Sequence, residues 1–213
     1  MDDFDKIVYC PHCGSENREG AAFCSSCGKR LNEQKKKKPI WLIVLGALAV
    51  IGFFIYSRVN YVNNCIKAVN SMMEGAKIAE SAGGMVLDVW HDSIWNTDNE
   101  KTNKYTKDDN GYFYTDFNDA LSKYVSSDEY GNSVNSILSQ REEATKYMRK
   151  IRRGVPKKHE RLYSDIEELY DTFVEFSNLA MYFDGSYNSV LEKFNELDDK
   201  IVTEYRKVCS YFE

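Results

Sequence analysis

Four of the six cysteines fall in two matching settings, "CPHCG" at residues 10–14 and "CSSCG" at residues 24–28. No other feature constrains the chain so tightly. A two-residue spacer lets both sulfurs of one turn reach a single ion. The glycine after each pair relieves the backbone where the knuckle bends. The pairs are ten residues apart and together close a tetrahedral shell of Cys10, Cys13, Cys24 and Cys27. A closed four-thiolate shell predicts one structural zinc ion, Zn2+, with no open position for catalysis. Two disulfides or a redox-active Cys-x-x-Cys are the competing readings, and the paired, glycine-flanked spacing favours zinc. His12 reads as a solvated filler inside the first knuckle. Phe23 and Leu31 read as a small apolar cover over the metal.

The second constraint is a run without charge. "PIWLIVLGALAVIGFFIYS" spans residues 39–57, nineteen residues in all. That length and apolarity predict one transmembrane helix over 40–57, with Trp41 and Tyr56 at its interfacial ends. Lys35 to Lys38 precede it directly. The positive-inside rule then predicts a cytoplasmic N-terminus, an extracytoplasmic C-terminal domain and localisation in the cell membrane. That orientation keeps the thiolates in a reducing compartment. A cleaved leader fits poorly, because 39 residues carrying a metal motif exceed its usual length. A buried core helix fits poorly too, because the run is uncharged on every face.

Charge is divided unevenly. Residues 57–213 hold 20 of the 28 basic and 27 of the 33 acidic residues, a net of −7. Such a surface disfavours nucleic acid, whose phosphates need clustered cations. Residues 58–213 read as helical. Val59, Val62, Ile66, Val69, Met73, Ala76, Gly83, Leu87, Trp90 and Ile94 form a stripe at helical spacing. A polar loop follows over about 97–116, with Asn110-Gly111 as a turn and an extended piece at 112–114. A second helix starts near Asp116 and falters at "SSDEYGNS". Gly154 and Pro156 separate it from a third over about 157–183, and "DGSYNS" turns the chain into a fourth. Four antiparallel helices with short connections predict a four-helix bundle.

The expected organisation is therefore mainly α. A zinc ribbon occupies 1–33, with its metal-binding part at about 9–31. A basic linker covers 34–39, the transmembrane helix 40–57 and the extracytoplasmic bundle 58–213. In an up-down-up-down bundle the two remaining cysteines, Cys65 and Cys209, come to a similar level and form a candidate disulfide. His91 and His159 make no metal pair at helical spacing. The sequence contains no HExxH, no GxSxG and no glycine-rich phosphate loop. No catalytic residue is assigned, and the expectation is a protein that is not an enzyme.

The stretch from Tyr9 to Leu31 resembles the short zinc ribbon at the N-terminus of many bacterial membrane proteins. "YTKDDNGYFYTDFNDAL" and "YDTFVEFSNLAMYFDGSYNSVLEKFNELD" resemble the outer region of uncharacterised membrane proteins from Gram-positive bacteria. The order of ribbon, span and outer domain is similar to that of the teicoplanin-resistance-associated membrane proteins, in architecture only. The order of ribbon, span and continuous outer helix leads to the expectation of a single-pass sensor, adaptor or envelope-associated binding protein that uses the lipid bilayer and a protein partner. The alternatives are a purely structural anchor, or a membrane-tethered ribbon that binds nucleic acid or protein.

Overall fold

The structure, a computed structural model, describes residues 7–31 and 40–212, with side-chain surroundings within 40–58 at 48, 52 and 57 only. The linker expected at 34–39 lies outside the described residues. The chain divides into two compact units, Met1–Phe54 and Ile55–Glu213.

In the first unit, strands β1 (Ile7–Tyr9) and β2 (Glu16–Arg18) pair antiparallel with Val8 opposite Asn17. Three residues a side make a small sheet, and its apolar side chains are not enclosed. Ile7 is 54% exposed, Tyr9 61% and Phe23 55%. The buried residues of this region are Cys10, Asn17 and Cys24. A fold with so little apolar interior needs another source of stability.

Long helices build the second unit. Helix α1 spans Ile40–Trp95, and its part from Ile55 onward belongs to this unit. After the short α2 (Asn103–Thr106) come α3 (Phe117–Val125) and α4 (Asp128–Arg152). A single 3-10 turn at Lys157–His159 leads into α5 (Glu160–Met181), and α6 (Tyr187–Cys209) closes the chain. Local chemistry sets these boundaries. Asp116 caps α3 by accepting from the Asn118 N–H at 2.8 Å. Ser127 caps α4, and Ser186 with Ser189 forms a reciprocal capping box at α6.

The long helices run in alternating directions. Gly75 of α1 faces Phe173 and Gln140, and Gly83 faces Phe194. Tyr61 stacks on His159 at 5.5 Å, and Trp90 meets Tyr187 edge-on at 5.9 Å. Helix α5 is therefore parallel to α1, and α6 antiparallel to both. Thr145 and Tyr170 share a 2.7 Å hydrogen bond, and Arg141 donates to Asn178 at 2.7 Å, which orders α4 against α5. The interior is filled by Met72, Tyr124, Ile137, Ile151, Ile166, Leu169, Phe173, Phe176 and Leu197, all essentially inaccessible. Each such side chain contributes about 1.5–3 kcal/mol on burial.

Several expectations are corrected here. The chain is mainly helical, but among the described residues no helix is long and apolar enough to cross a membrane. The transmembrane helix expected at 40–57 is not an element of its own. Its backbone is the beginning of α1, whose continuation carries Arg58, Lys67, Glu74, Lys77, Glu80, Asp88 and Asp92. The assignment of the bundle to the far side of a membrane rested on that span. The buried stripe of α1 follows the expected one at Val69, Ala76, Gly83, Leu87 and Trp90 and departs from it elsewhere. Val59, Ile66 and Ile94 are exposed, and the seam runs through Tyr61, Cys65, Ala68, Met72, Ala76, Ala79, Ala82 and Val86. The loop at 97–116 is structured, with α2 inside it and Lys107 bridged to Phe113. Finally, the candidate bridge is absent: Cys65 and Cys209 are free thiols. Cys65 is turned wholly into the core, whereas Cys209 sits half-exposed at the edge of α6.

Candidate metal centre

The two knuckles have the same backbone design. In the first, Gly14 N–H donates to the Cys10 carbonyl at 2.9 Å, and in the second Gly28 N–H donates to the Cys24 carbonyl at 2.9 Å. Gly14 and Gly28 have φ of 74° and 69°, where a side chain would strain the turn. Each turn aims two sulfurs at the same point.

Those four sulfurs lie within 4.8 Å of one another. Cys10 and Cys27 are 3.7 Å apart, and Cys13 and Cys24 3.5 Å. A disulfide needs about 2.05 Å between sulfurs. A tetrahedron with metal–sulfur bonds of about 2.3 Å has edges of about 3.8 Å. The spacing fits a shared ion and excludes two bridges. No sulfur is spare, so the shell is closed.

The second coordination layer is polar. His12 N–H points at the Cys10 sulfur at 3.5 Å, and Ser26 N–H and Cys27 N–H point at the Cys24 sulfur at 3.4 and 3.5 Å. The Cys27 N–H leads the groups that lower the Cys24 thiol to about 6, against the opposing effect of burial. Cys27 behaves oppositely. The Lys29 backbone amide works to lower it, but the surrounding thiols and burial raise it to about 12. Four thiolates cannot crowd together without a cation between them, and a divalent ion with soft-ligand affinity removes that conflict.

Residues 9–31 match the zinc-ribbon domain. The four close cysteines of this ribbon are the ligand set of one structural zinc ion. The chain matches no curated protein and no solved structure. In zinc-finger peptides such an ion supplies about 10–16 kcal/mol of folding free energy. That is the stabilisation the ribbon's exposed apolar residues do not provide.

One residue that supports the site was not visible from ligand spacing. Asn17 is 8% exposed. Its Nδ2 donates to the Ser15 carbonyl at 2.8 Å and points at the Cys24 sulfur at 3.6 Å. Its Oδ1 accepts from the Ser25 N–H at 2.9 Å and the Ser25 hydroxyl at 3.2 Å. A single carboxamide thus joins the knuckles. A buried position opposite Val8 on β2 is the only sequence clue, and it needs the strand register to be read. The expected cover residue Phe23 instead lies exposed, with the Arg30 guanidinium 5.4 Å from its ring centre.

Proposed function

We propose that this is a binding or adaptor protein without chemistry of its own, in which a zinc ribbon serves as a small rigid recognition unit in a chain that also carries a helical bundle. The closed four-sulfur shell carries this reading. With every sulfur committed to one ion, the metal has no position for substrate or water, and its work is to hold shape. What it holds outward is apolar: Ile7, Val8, Tyr9 and Phe23 are exposed on a domain of this small size. Groups of this kind on a rigid scaffold serve contact with a partner. A protein partner is favoured over nucleic acid, because Glu16 and Glu19 offset Arg18, Lys29 and Arg30 within the ribbon.

The test compares capture of partners by the full chain with capture by Tyr9→Ser and Phe23→Ser variants that keep all four cysteines. A partner retained by the native chain and lost by both variants, with zinc content unchanged, supports the reading. Identical capture by all three proteins overturns it.

A further inference from the structure

One stretch gathers the positive charge of the bundle. "KYMRKIRRGVPKKHER", residues 146–161, joins the end of α4 to the start of α5. It holds eight of the 20 basic residues in 57–213 and one of the 27 acidic ones, Glu160. Lys146 is ion-paired with Glu143 at 2.7 Å. Arg149, Lys150, Arg152, Arg153 and Lys157 are exposed and join no ion pair among the described residues. Lys67 of α1 comes to the same place. The Nζ atoms of Lys150, Lys146 and Lys67 lie 4.7, 5.5 and 5.7 Å from the centre of the Tyr147 ring. Of these three ammonium groups, only that of Lys146 has a carboxylate partner among the described residues.

Contacts fix where this charge lies. His159, in the 3-10 turn, stacks on Tyr61 at 5.5 Å. Tyr61 follows the uncharged residues 39–57 by four positions, so the basic turn sits at the end where that run joins the bundle. The same end carries the last turn of the chain. The Tyr211 hydroxyl donates to Asp165 at 2.6 Å, and Arg161 acts electrostatically on both. Tyr211 and Phe212 are 40% and 38% exposed. Unpaired cations and open aromatic rings are thus collected at one end of a unit of net negative charge.

We infer that this end of the bundle is a docking surface for the phosphates of an anionic lipid head-group layer, held by Lys67 and the cations of residues 146–161, with Tyr211 and Phe212 at its edge. Each Lys or Arg brought near such a layer adds an attraction that salt screens. Aromatic rings favour the zone where head groups meet acyl chains. A lipid surface touches the end alone. A nucleic acid would run on along the sides, where acidic residues outnumber basic ones and repel its phosphates. The contact is peripheral and requires no helix that crosses the bilayer. It uses no residue of the ribbon, so this proposal and partner capture through Tyr9 and Phe23 fail separately.

The experiment mixes the full-length, zinc-loaded protein with vesicles of phosphatidylglycerol or of phosphatidylcholine and follows lysine acetylation by timed labelling and peptide mass analysis. Phosphatidylglycerol should slow the labelling of Lys67, Lys150 and Lys157 at least about threefold, and added salt should abolish the effect. Lys101 and Lys193, towards the other end of the bundle, should label at an unchanged rate, and phosphatidylcholine should protect neither group. Lys67→Gln, Lys150→Gln and Arg153→Gln combined should lower the salt concentration at which Lys157 loses protection. Lys101→Gln, Lys104→Gln and Lys193→Gln combined remove the same charge elsewhere and should leave it unchanged. Thermal midpoints verify folding, and residues 1–57 are the same in every protein compared. No protection, equal protection by phosphatidylcholine, protection shared evenly with Lys101 and Lys193, or an unchanged salt midpoint in the first combined variant would each overturn the proposal. So would equal protection by single-stranded RNA or soluble polyphosphate at the same phosphate concentration.

Discussion

The ring of Phe173 lies over Gly75 so closely that a methyl group there would come within 2.6 Å of its Cζ atom. Gly83 stands in the same relation to Phe194. Both glycines are buried on α1 and let a phenyl ring from α5 or α6 approach the helix backbone. Gly75→Ala normally adds about 0.5–1 kcal/mol through helix propensity. Here it should instead cost about 1–3 kcal/mol, because the ring must move within a filled core. Denaturant unfolding of Gly75→Ala beside Gly84→Ala, where an added methyl meets nothing within 4 Å, checks this. Stabilisation by both changes would show that the ring has room.

The zinc site should respond to a residue that touches no metal. Purified under reducing conditions, the protein should carry one zinc ion per chain, and Cys24→Ser should lose it readily. Asn17→Ala keeps all four ligands yet should weaken zinc binding about 10–100-fold, the usual effect of removing a supporting hydrogen bond. Competition with a chromophoric chelator measures it. An unchanged affinity would mean that the knuckles are held together without the carboxamide.

Asp165 links acidity to stability. Its side chain is buried, paired with Lys207 at 2.8 Å and accepting from the Tyr211 hydroxyl at 2.6 Å. Burial works to raise this carboxyl, but the hydrogen bonds from Lys207 and Tyr211 prevail and hold it below its ordinary 3.8. A carboxyl more acidic in the folded chain stabilises above its unfolded value, and that contribution fades as pH falls through the folded value. Asp165→Asn should therefore cost about 1–2 kcal/mol at neutral pH, since Lys207 is half in solvent, and the difference should shrink below about pH 4. Urea midpoints at both pH values test it. A difference that persists undiminished in acid excludes the ionic account.

The two bundle thiols should react unequally. Burial, the leading cause, pushes Cys65 up to about 11, whereas Cys209 is half-exposed beside Tyr205. In the folded, zinc-loaded protein an alkylating reagent should modify Cys209 quickly and Cys65 only on unfolding. Peptide mass analysis after timed labelling gives the order. Protection of both under non-reducing conditions, lifted by a reductant, would reveal a bridge.

What could be read from sequence was what depends on near neighbours. The zinc ligands are fixed by spacings of two residues, and the helix boundaries by Asp116, Ser127 and Ser186, each acting within one turn. Part of the seam of α1 was hidden because apolarity was the guide. Ala68, Gly75 and Ala79 carry little of it, and their value lies in letting other helices approach. Asn17 was hidden because its partners, Ser15, Ser25 and Cys24, meet only after both knuckles fold. The uncharged run at 40–57 invited a membrane reading because hydropathy does not say where the helix containing it ends.

Tyr130, in the first turn of α4, sends its hydroxyl across to the carbonyls of Ala180 and Met181 at 3.3 and 3.0 Å. Those are among the last carbonyls of α5, which the helix cannot satisfy by itself. One helix thus finishes its neighbour, and fraying at the two ends becomes a shared event. Amide protons at the start of α4 and the end of α5 should exchange with a common opening free energy, and Tyr130→Phe should split them into separate local fluctuations.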